Sequence, residues 1–259
     1  MTSTYRTPPS SLLIAAMLAI AVLVFAPSTQ GQTAKVLTAS NDVPARLNQQ
    51  RQLYRQSLAL IGSGNWLALR KQRQELVDYP LFPYLVYAEL LANLNYSKRT
   101  AVTTYLAQYA GTVKATHLQG KWLDYLARRG YWETYVQVYN ANSYIGNSSR
   151  QCNYHLARYR TGIKAASLEA GLRLWSQGKS QPKACDKLFG ILIKSGRISE
   201  DLAWQRFNTA MINSKYKLAR YLKRFFTSPN YKKRFAIYYQ VYRDPGSIRT
   251  YSNFSDYDQ

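Results

Sequence analysis

Acidic residues are scarce in this chain, and the scarcity restricts what the protein can do. Thirteen Asp and Glu stand against thirty-five Lys and Arg in 259 residues, which gives a formal net charge of +22 at pH 7. Because there are also only two histidines, an independent acid–base active site is poorly supported. The excess of positive charge predicts an anionic partner, which could be nucleic acid, anionic lipid or an acidic polymer such as a cell wall.

The sequence also lacks the composition of a flexible chain and the motifs of common enzymes. Nine prolines and thirteen glycines are too few for a collagen-like or linker-dominated chain, and a hydrophobic content of 46% argues against disorder. The sequence contains no Gly-rich phosphate loop, no Gly-x-Ser-x-Gly word and no His-Glu-x-x-His word. We therefore expect a folded globular chain without a cofactor.

The amino terminus has the outline of a secretory signal. Residues 1–31 hold one base, Arg6, and no acid, and an apolar stretch runs from Leu12 to Ala26 ahead of a small-residue cleavage point after Gly31. The alternative is an uncleaved anchor at the same position. In both cases we expect the rest of the chain to be exported to the periplasm, with the signal segment as its only contact with a membrane.

The chain has only two cysteines, Cys152 and Cys185. An even count in an exported chain predicts a disulfide, which in the chain-entropy account stabilises a fold by about 3–4 kcal/mol. A metal site is the alternative, because Cys152 and His155 lie one helical turn apart and Cys185 could join them. The other histidine, His117, has no ligand-like neighbour, and structural zinc sites need four ligands.

Helical periodicity dominates the chain beyond residue 42. Apolar residues recur at helical spacing there, and no segment of useful length alternates as a half-buried strand would. Asp42 and Gly62 could begin and end a first helix, while Asn65 and Ser199 could cap later helices. We expect an all-α fold.

Glycines that could end helices fall at regular intervals, at Gly64, Gly130, Gly162 and Gly196. The second and third intervals are 32 and 34 residues; the first is 66, about twice as long, with Asn95 near the missing point. A period near 33 residues predicts a solenoid of helical hairpins, such as the tetratricopeptide class. The alternative is chance spacing of capping glycines in an all-helical protein.

One stretch, from Leu202 to Arg243, contains no acid, whereas bases interleave there with tyrosine and phenylalanine. In a cytosolic protein this composition would indicate nucleic acid. Because the chain is predicted to be exported, we expect no nucleic acid and instead a polymer bearing carboxylates, or lipid phosphate. The alternative is a solvated basic face with no partner. The candidate contacts with an anionic polymer are Lys215, Lys217, Arg220, Lys223, Arg224, Lys232, Lys233 and Arg234.

Three sequence words in the middle of the chain carry a family resemblance. They are YPLFPYL at 79–85, QCNY at 151–154, and LW at 174–175 followed by GKSQPKACDKLF at 178–189. Together they resemble the amino-terminal half of the soluble lytic murein transglycosylases. The resemblance spans residues 79–189 by motif, and the helical pattern extends it over about 42–245.

The resemblance implies a specific architecture and chemistry. This half of the family is a superhelical, U-shaped array of short helices, which a linker domain joins to a C-terminal lysozyme-like domain in a ring that a glycan strand can pass through. Cys152 and Cys185 fall in the matching words, where the family pairs them in a disulfide. The family cleaves the β-1,4 bond between N-acetylmuramic acid and N-acetylglucosamine and leaves a 1,6-anhydromuramic product.

The residues that carry this chemistry in the family have no counterpart in the sequence. The family uses a glutamate as acid and then base, in a Glu-Ser pair followed by Gly-Leu-Met-Gln and Ala-Tyr-Asn-Ala-Gly words, and none of these occurs here. We therefore identify no catalytic residue and no metal ligand, and expect the chain to be inactive alone. The five glutamates, none of which precedes a serine, are Glu75, Glu89, Glu133, Glu169 and Glu200.

These observations predict a periplasmic α-superhelical domain that holds murein strands or docks a partner, such as a missing catalytic or linker domain. The alternative is a tetratricopeptide-like adaptor that binds a protein and has no glycan role. A third interpretation is that the sequence comes from a gene for the full enzyme whose reading frame was interrupted. We expect a signal peptide at 1–31, a flexible segment at 32–41, the incomplete superhelical domain at 42–245 and a polar tail at 246–259.

Overall fold

The protein, described here from a computed structural model, is built of helices. The structure describes residues 32–139 and 146–251, with the backbone alone for 32–42. These ranges contain no strand, which confirms the all-α class. The helices are α1 (Gln32–Ser63), α2 (Trp66–Arg73), α3 (Phe82–Ala92), α4 (Arg99–Gln108), α5 (Val113–Arg129), α6 (Trp132–Val138), α7 (Ser148–Arg160), α8 (Lys164–Trp175), α9 (Asp186–Lys194), α10 (Glu200–Ile212), α11 (Tyr216–Leu222) and α12 (Pro229–Arg243).

Short 3₁₀ turns complete the described secondary structure, at Gln74–Leu76, Tyr96–Lys98, Lys183–Cys185, Lys223–Phe225 and Pro245–Thr250. The predicted signal peptide at 1–31 and residues 252–259 of the predicted polar tail lie outside the described residues. Within the described part of the chain, no helix combines the length and the apolar character that crossing a bilayer requires.

The chain divides into two compact units after residue 52. In the first unit, the described residues all belong to α1, which begins at Gln32 rather than at the predicted cap Asp42. Good helix formers such as Ala34 and Leu37 precede Asp42, so nothing local stops the helix from starting earlier. The backbone of 32–41, predicted as a flexible segment, is helical.

The second unit, residues 53–259, contains the predicted helix caps. Asn65 accepts a hydrogen bond from the Ala68 N–H at 3.2 Å, and Ser199 accepts one from the Leu202 N–H at 3.1 Å. Both side chains satisfy a donor that the first turn of a helix leaves unpaired. The predicted starts of α2 and α10 are therefore confirmed, whereas α1 continues through Gly62 to Ser63.

The predicted glycine punctuation is confirmed at all four positions. Gly64, Gly130, Gly162 and Gly196 have φ angles of +70°, +78°, +105° and +66°, a region that favours glycine. Each is followed by the same closure, in which the next residue donates its N–H to a carbonyl five residues earlier. The donors and acceptors are Asn65 to Leu60, Tyr131 to Leu126, Ile163 to Arg158 and Arg197 to Leu192.

A serine makes a fifth turn of this kind. Ser214 has a φ of 57° and is the one non-glycine residue with positive φ among those described; after it, the Lys215 N–H donates to the Ala210 carbonyl at 2.7 Å. A side chain in this left-handed conformation costs roughly 1–2 kcal/mol. We expect Ser214→Gly to raise the free energy of unfolding by about 0.5–1 kcal/mol in urea titrations. The gain is smaller than the strain removed, because glycine also gives the unfolded chain more conformational freedom.

Ser195 offers the matched control for this substitution. It caps the end of α9 with a φ of −84°, which any residue adopts, so Ser195→Gly relieves no strain. It adds backbone freedom and removes the hydrogen bond that the Ser195 hydroxyl donates to the Leu192 carbonyl at 3.1 Å, and should lower stability. Equal gains from the two variants would show that the sign of φ at residue 214 is irrelevant.

Two clusters of buried side chains form the core of the second unit. The first spans α3 to α7 and includes Trp122 and Tyr135; the second spans α7 to α12 and includes Trp175 and Phe207. Each helix from α3 to α8 packs on the next one in the chain, and α10 packs on α11. In addition, α3 packs on α5, α5 on α7, and α7 on α9. Contacts between alternate helices are what stacked hairpins produce, as the glycine period predicts.

The two cysteines are joined in a disulfide, as predicted. Cys152 lies in α7 and Cys185 ends the 3₁₀ turn before α9, with their Cα atoms 4.9 Å apart and both residues fully buried. Since each sulfur is bonded to the other, neither is a thiolate that could ligate a metal with His155. In the described ranges, no group of three His, Cys, Asp or Glu is placed to hold a metal ion.

Candidate functional site

An open groove of about 1150 Å³ lies beside the last described hairpin of the chain. Its walls come from α11, from the 3₁₀ turn that follows, and from α12. We call it the basic groove. Five cations line it: Arg220, Lys223, Arg224, Lys232 and Arg243.

The hairpin that forms the basic groove is fixed by its turn. Leu222 and Phe226 are buried on either side of the 3₁₀ turn, which anchors it to the core. Ser228 then caps α12, accepting from the Tyr231 N–H at 3.5 Å, and Pro229 occupies the first helical position, where its missing N–H is not needed. The turn and cap bring the end of α11 against the face of α12.

The carboxylate of Glu200 holds this cap from the neighbouring helix. It accepts hydrogen bonds from the backbone N–H of Ser228 at 2.7 Å, from the Thr227 hydroxyl at 2.9 Å and from the Thr227 N–H. These bonds, led by that of the Ser228 backbone, lower the pKa of Glu200 to about 2. Glu200 therefore stays ionised and joins the start of α10 to the start of α12.

The electrostatics of the basic groove are strongly positive. Within the described ranges, ion pairs form at Arg73, Arg150 and Arg197, and none involves a cation of the groove. The one acid in its lining is Asp244, whose carboxylate accepts the Gly246 N–H at 3.1 Å. Charges of one sign in a concave surface add, so the groove attracts anions.

The floor of the basic groove is aromatic. Phe226 and Phe235 are 3% and 6% exposed, and the Phe235 ring stacks on Tyr239 with centroids 5.6 Å apart. The Lys223 ammonium lies 5.7 Å from the Phe235 centroid, and the Arg224 guanidinium lies 5.2 Å from that of Tyr221. Cations therefore surround an apolar floor, an arrangement that can hold an anion next to an apolar or ring surface.

The structure separates the eight basic residues predicted to contact an anionic polymer. Arg220, Lys223, Arg224 and Lys232 line the basic groove. The other four lie outside it: Lys215 precedes α11 and is exposed, Lys217 lines a smaller cavity, Lys233 is exposed on α12, and the Arg234 guanidinium lies 4.9 Å from the Trp204 centroid.

Sequence reasoning did not assign Arg243 or Tyr239 to the site. Both follow Lys232 and Phe235 at helical spacing, so the four share one face of α12. That spacing is a signal in the sequence that could have identified them. By contrast, Arg220 reaches the basic groove only because of the turn between α11 and α12, and no local sequence pattern predicts its position there.

Three of the described glutamates have defined partners. Glu89 pairs with Arg73 at 3.0 Å and Glu169 with Arg197 at 2.5 Å, and the pKa of Glu200 is lowered by its hydrogen bonds. Glu133 lies in the first turn of α6.

Relatives were found among curated proteins and solved structures, although no family model matches. The soluble lytic murein transglycosylase of Escherichia coli (strain K12) is 32% identical over 178 residues, which are 68% of this chain and 27% of that protein. That of Salmonella typhimurium is 33% identical over 166 residues, 64% of this chain and 25% of that protein. The chain thus spans about a quarter of the length of these relatives.

Two solved structures show the same likeness. The 70-kDa soluble lytic transglycosylase from Escherichia coli matches with a TM-score of 0.64 and 27% identity, over 79% of this chain and 32% of that one. An inactive mutant of the lytic transglycosylase Slt from Pseudomonas aeruginosa matches with a TM-score of 0.63 and 33% identity, over 76% of this chain and 31% of that one.

Proposed function

This chain belongs to the soluble lytic murein transglycosylase family, and from that premise we propose that it binds murein without cleaving it. The observation that carries the proposal is the basic groove, with five cations around an aromatic floor. Murein strands bear peptide carboxylates, which such a groove would attract. A catalytic or linker domain of the same family is the partner we propose for the chain.

The expected strength of this binding follows from the exposure of the groove cations. All five are exposed, and an exposed ion pair contributes about 0.2–1 kcal/mol. Five such contacts amount to a few kcal/mol, which is enough for weak binding. The cations should raise the association rate, and added salt should weaken the binding by screening the charges. The aromatic floor adds contacts with apolar faces of a sugar or peptide that salt does not weaken.

The proposal of binding without cleavage rests on the glutamates. The chemistry of the family requires a glutamate that gives up a proton, whereas Glu200 stays ionised and Glu89 and Glu169 each pair with an arginine. A zymogram on murein tests this part of the proposal. A clearing band produced by the chain alone would contradict it.

We place the protein in the periplasm, where murein is accessible. The outline of an export signal at residues 1–31 supports this compartment, and so does the buried disulfide between Cys152 and Cys185, because disulfides persist where the surroundings are oxidising. Compartment and binding are separate parts of the proposal.

Neutralising three groove cations should weaken binding to purified sacculi. We expect the triple variant Arg220→Gln, Lys223→Gln and Lys232→Gln to bind about three- to tenfold more weakly at low salt in a co-sedimentation assay, because three attractive contacts are lost. The wild-type chain should lose most of its binding when salt is raised toward 1 M, where the Debye length falls to about 3 Å.

A second triple variant, Lys71→Gln, Lys164→Gln and Lys194→Gln, is the matched control. It removes the same charge from exposed positions outside the groove and should bind almost as the wild type does. Equal losses from both triples would show that net charge, not the groove, drives binding. No binding by the wild type even at low salt would favour the tetratricopeptide-like adaptor, which has no glycan role.

A further inference from the structure

A second cavity, of about 540 Å³, lies among α8, α9, α10 and α11. We call it the Arg206 pocket, and the residues that matter here are Trp175, Gln181, Phe189, Arg206, Lys217 and Tyr221. Its volume lies in the range of cavities that enclose small ligands. None of the functions proposed above uses it.

The pocket contains a buried arginine without a counter-charge. Arg206 is only 4% exposed, its Nε and Nη2 donate to the carbonyls of Gln177 and Lys179 at 3.1 and 3.4 Å, and its Cζ lies 4.4 Å from the Trp175 centroid. No ion pair among the described residues includes it, and burial lowers its pKa to about 10. A buried charge held only by neutral groups is costly, and an anion in the pocket would offset that cost.

The other charged groups of the pocket agree with an anionic ligand. Lys217 also lines the cavity and contributes a second, exposed cation. Asp186 is the one acid in the lining; it begins α9 and forms no ion pair with a described residue. Two cations against one acid leave a net positive charge.

A buried acceptor lies in the same wall. Gln181 donates through its Nε2 to the Gln177 side chain at 2.8 Å, but its Oε1 is buried and accepts no hydrogen bond from a described residue. A buried polar atom is normally paired, so this oxygen calls for a donor. The N–H groups of Arg206 beyond those used by the two carbonyls can donate to a carboxylate, and Gln181 can accept from an amide N–H. A carboxylate and an amide N–H occur together at the carboxyl end of an acylated amino acid.

Apolar side chains form the rest of the pocket. Trp175 and Phe189 are buried, and Tyr221 is 46% exposed at the same cavity. These rings can cover a small apolar side chain while the polar groups fix its backbone. We propose that the Arg206 pocket binds the carboxyl-terminal residue of an acylated amino acid or short peptide, with its carboxylate toward Arg206 and Lys217 and its amide N–H toward Gln181.

Three probes that differ by one group test the proposal on the full chain. Acetyl-alanine has both recognition groups, its carboxamide lacks the charge, and the ester analogue with oxygen in place of N–H lacks the donor. In NMR titrations that follow the backbone amides of 177–181, we expect acetyl-alanine to bind, the carboxamide to bind about tenfold more weakly or worse, and the ester to bind more weakly than acetyl-alanine. Equal binding of the acid and the carboxamide, or no binding of the acid, would overturn the proposal.

Variants of two neighbouring lysines keep the test independent of folding. We expect Lys217→Gln to weaken acetyl-alanine binding several-fold, whereas Lys215→Gln, outside the pocket, leaves it unchanged. Equal effects of the two would contradict the assignment. Lys217 does not line the basic groove, so sacculus binding should survive Lys217→Gln, which separates failure of this site from failure of the proposed function. Tighter binding of acetyl-trialanine than of acetyl-alanine would identify a peptide end as the ligand, and equal affinity a single acylated residue.

Discussion

Replacing Cys152 and Cys185 together with alanine lowers the free energy of unfolding by about 3–4 kcal/mol. The bond closes a loop of 33 residues and links α7 to the turn before α9. Without it the unfolded chain gains conformational freedom, which favours unfolding. Urea titrations under non-reducing conditions measure the effect, and the slope of the transition should rise because the unfolded state becomes more expanded.

The wild-type chain in reducing agent is the control for the disulfide experiment. It lacks the bond but keeps both sulfur atoms, so its stability separates the cross-link from the packing of two fully buried side chains. We expect the reduced wild type to account for most of the loss. A decrease below about 1 kcal/mol in the reduced protein would mean that the bond restricts the unfolded chain little, contrary to the chain-entropy account.

The second large effect is expected at Gly178, a buried residue in the loop after α8. A Cβ atom at this position would lie 2.4 Å from Thr209 Cγ2 and 2.9 Å from the Thr209 backbone carbon on α10. Because backbone cannot give way as a side-chain end does, the loop would have to move. That movement would disturb the carbonyls of Gln177 and Lys179, which hold Arg206. We expect Gly178→Ala to cost about 2–3 kcal/mol in the same urea titration.

Gly190 provides the matched control, since an added Cβ there meets no atom within 4 Å. It lies in α9, so Gly190→Ala should stabilise the protein by up to about 1 kcal/mol. Adding Thr209→Ala to the Gly178→Ala variant removes the closest atom but not the backbone carbon, and should restore stability only in part. A neutral Gly178→Ala would show that the loop is free to shift.

The features that sequence predicts well here are those decided within a few residues. A helix that ends at Gly130 or Gly196 does so because a left-handed residue closes it, and glycine adopts that conformation at least cost. The caps Asn65 and Ser199 are equally local. Ser214 was missed because only the structure reveals its positive φ; the residue type gives no sign of it.

The features that sequence predicts poorly depend on which helix face meets which neighbour. The acid-free stretch predicts basic surface, yet Arg206 within it is buried. Its spacing from Ala203, Phe207 and Ala210, all fully buried, places it on the inner side of α10, and this signal could have corrected the prediction. Gly178 falls in one of the sequence words that carry the family resemblance. A glycine is needed there because Thr209 on α10 lies close to the loop, and no local sequence pattern predicts that distance.

One helix belongs to both cores. α7 gives Ala157 to the first cluster and Cys152 to the second. If either cluster unfolded, this thirteen-residue helix would lose part of its buried surface. We therefore expect α7 to couple the unfolding of the first cluster to that of the second. The hairpins on either side of α7 contact mostly their neighbours. Removing a hairpin far from α7 would therefore change the contacts of one neighbouring hairpin and leave the packing of α7 unchanged.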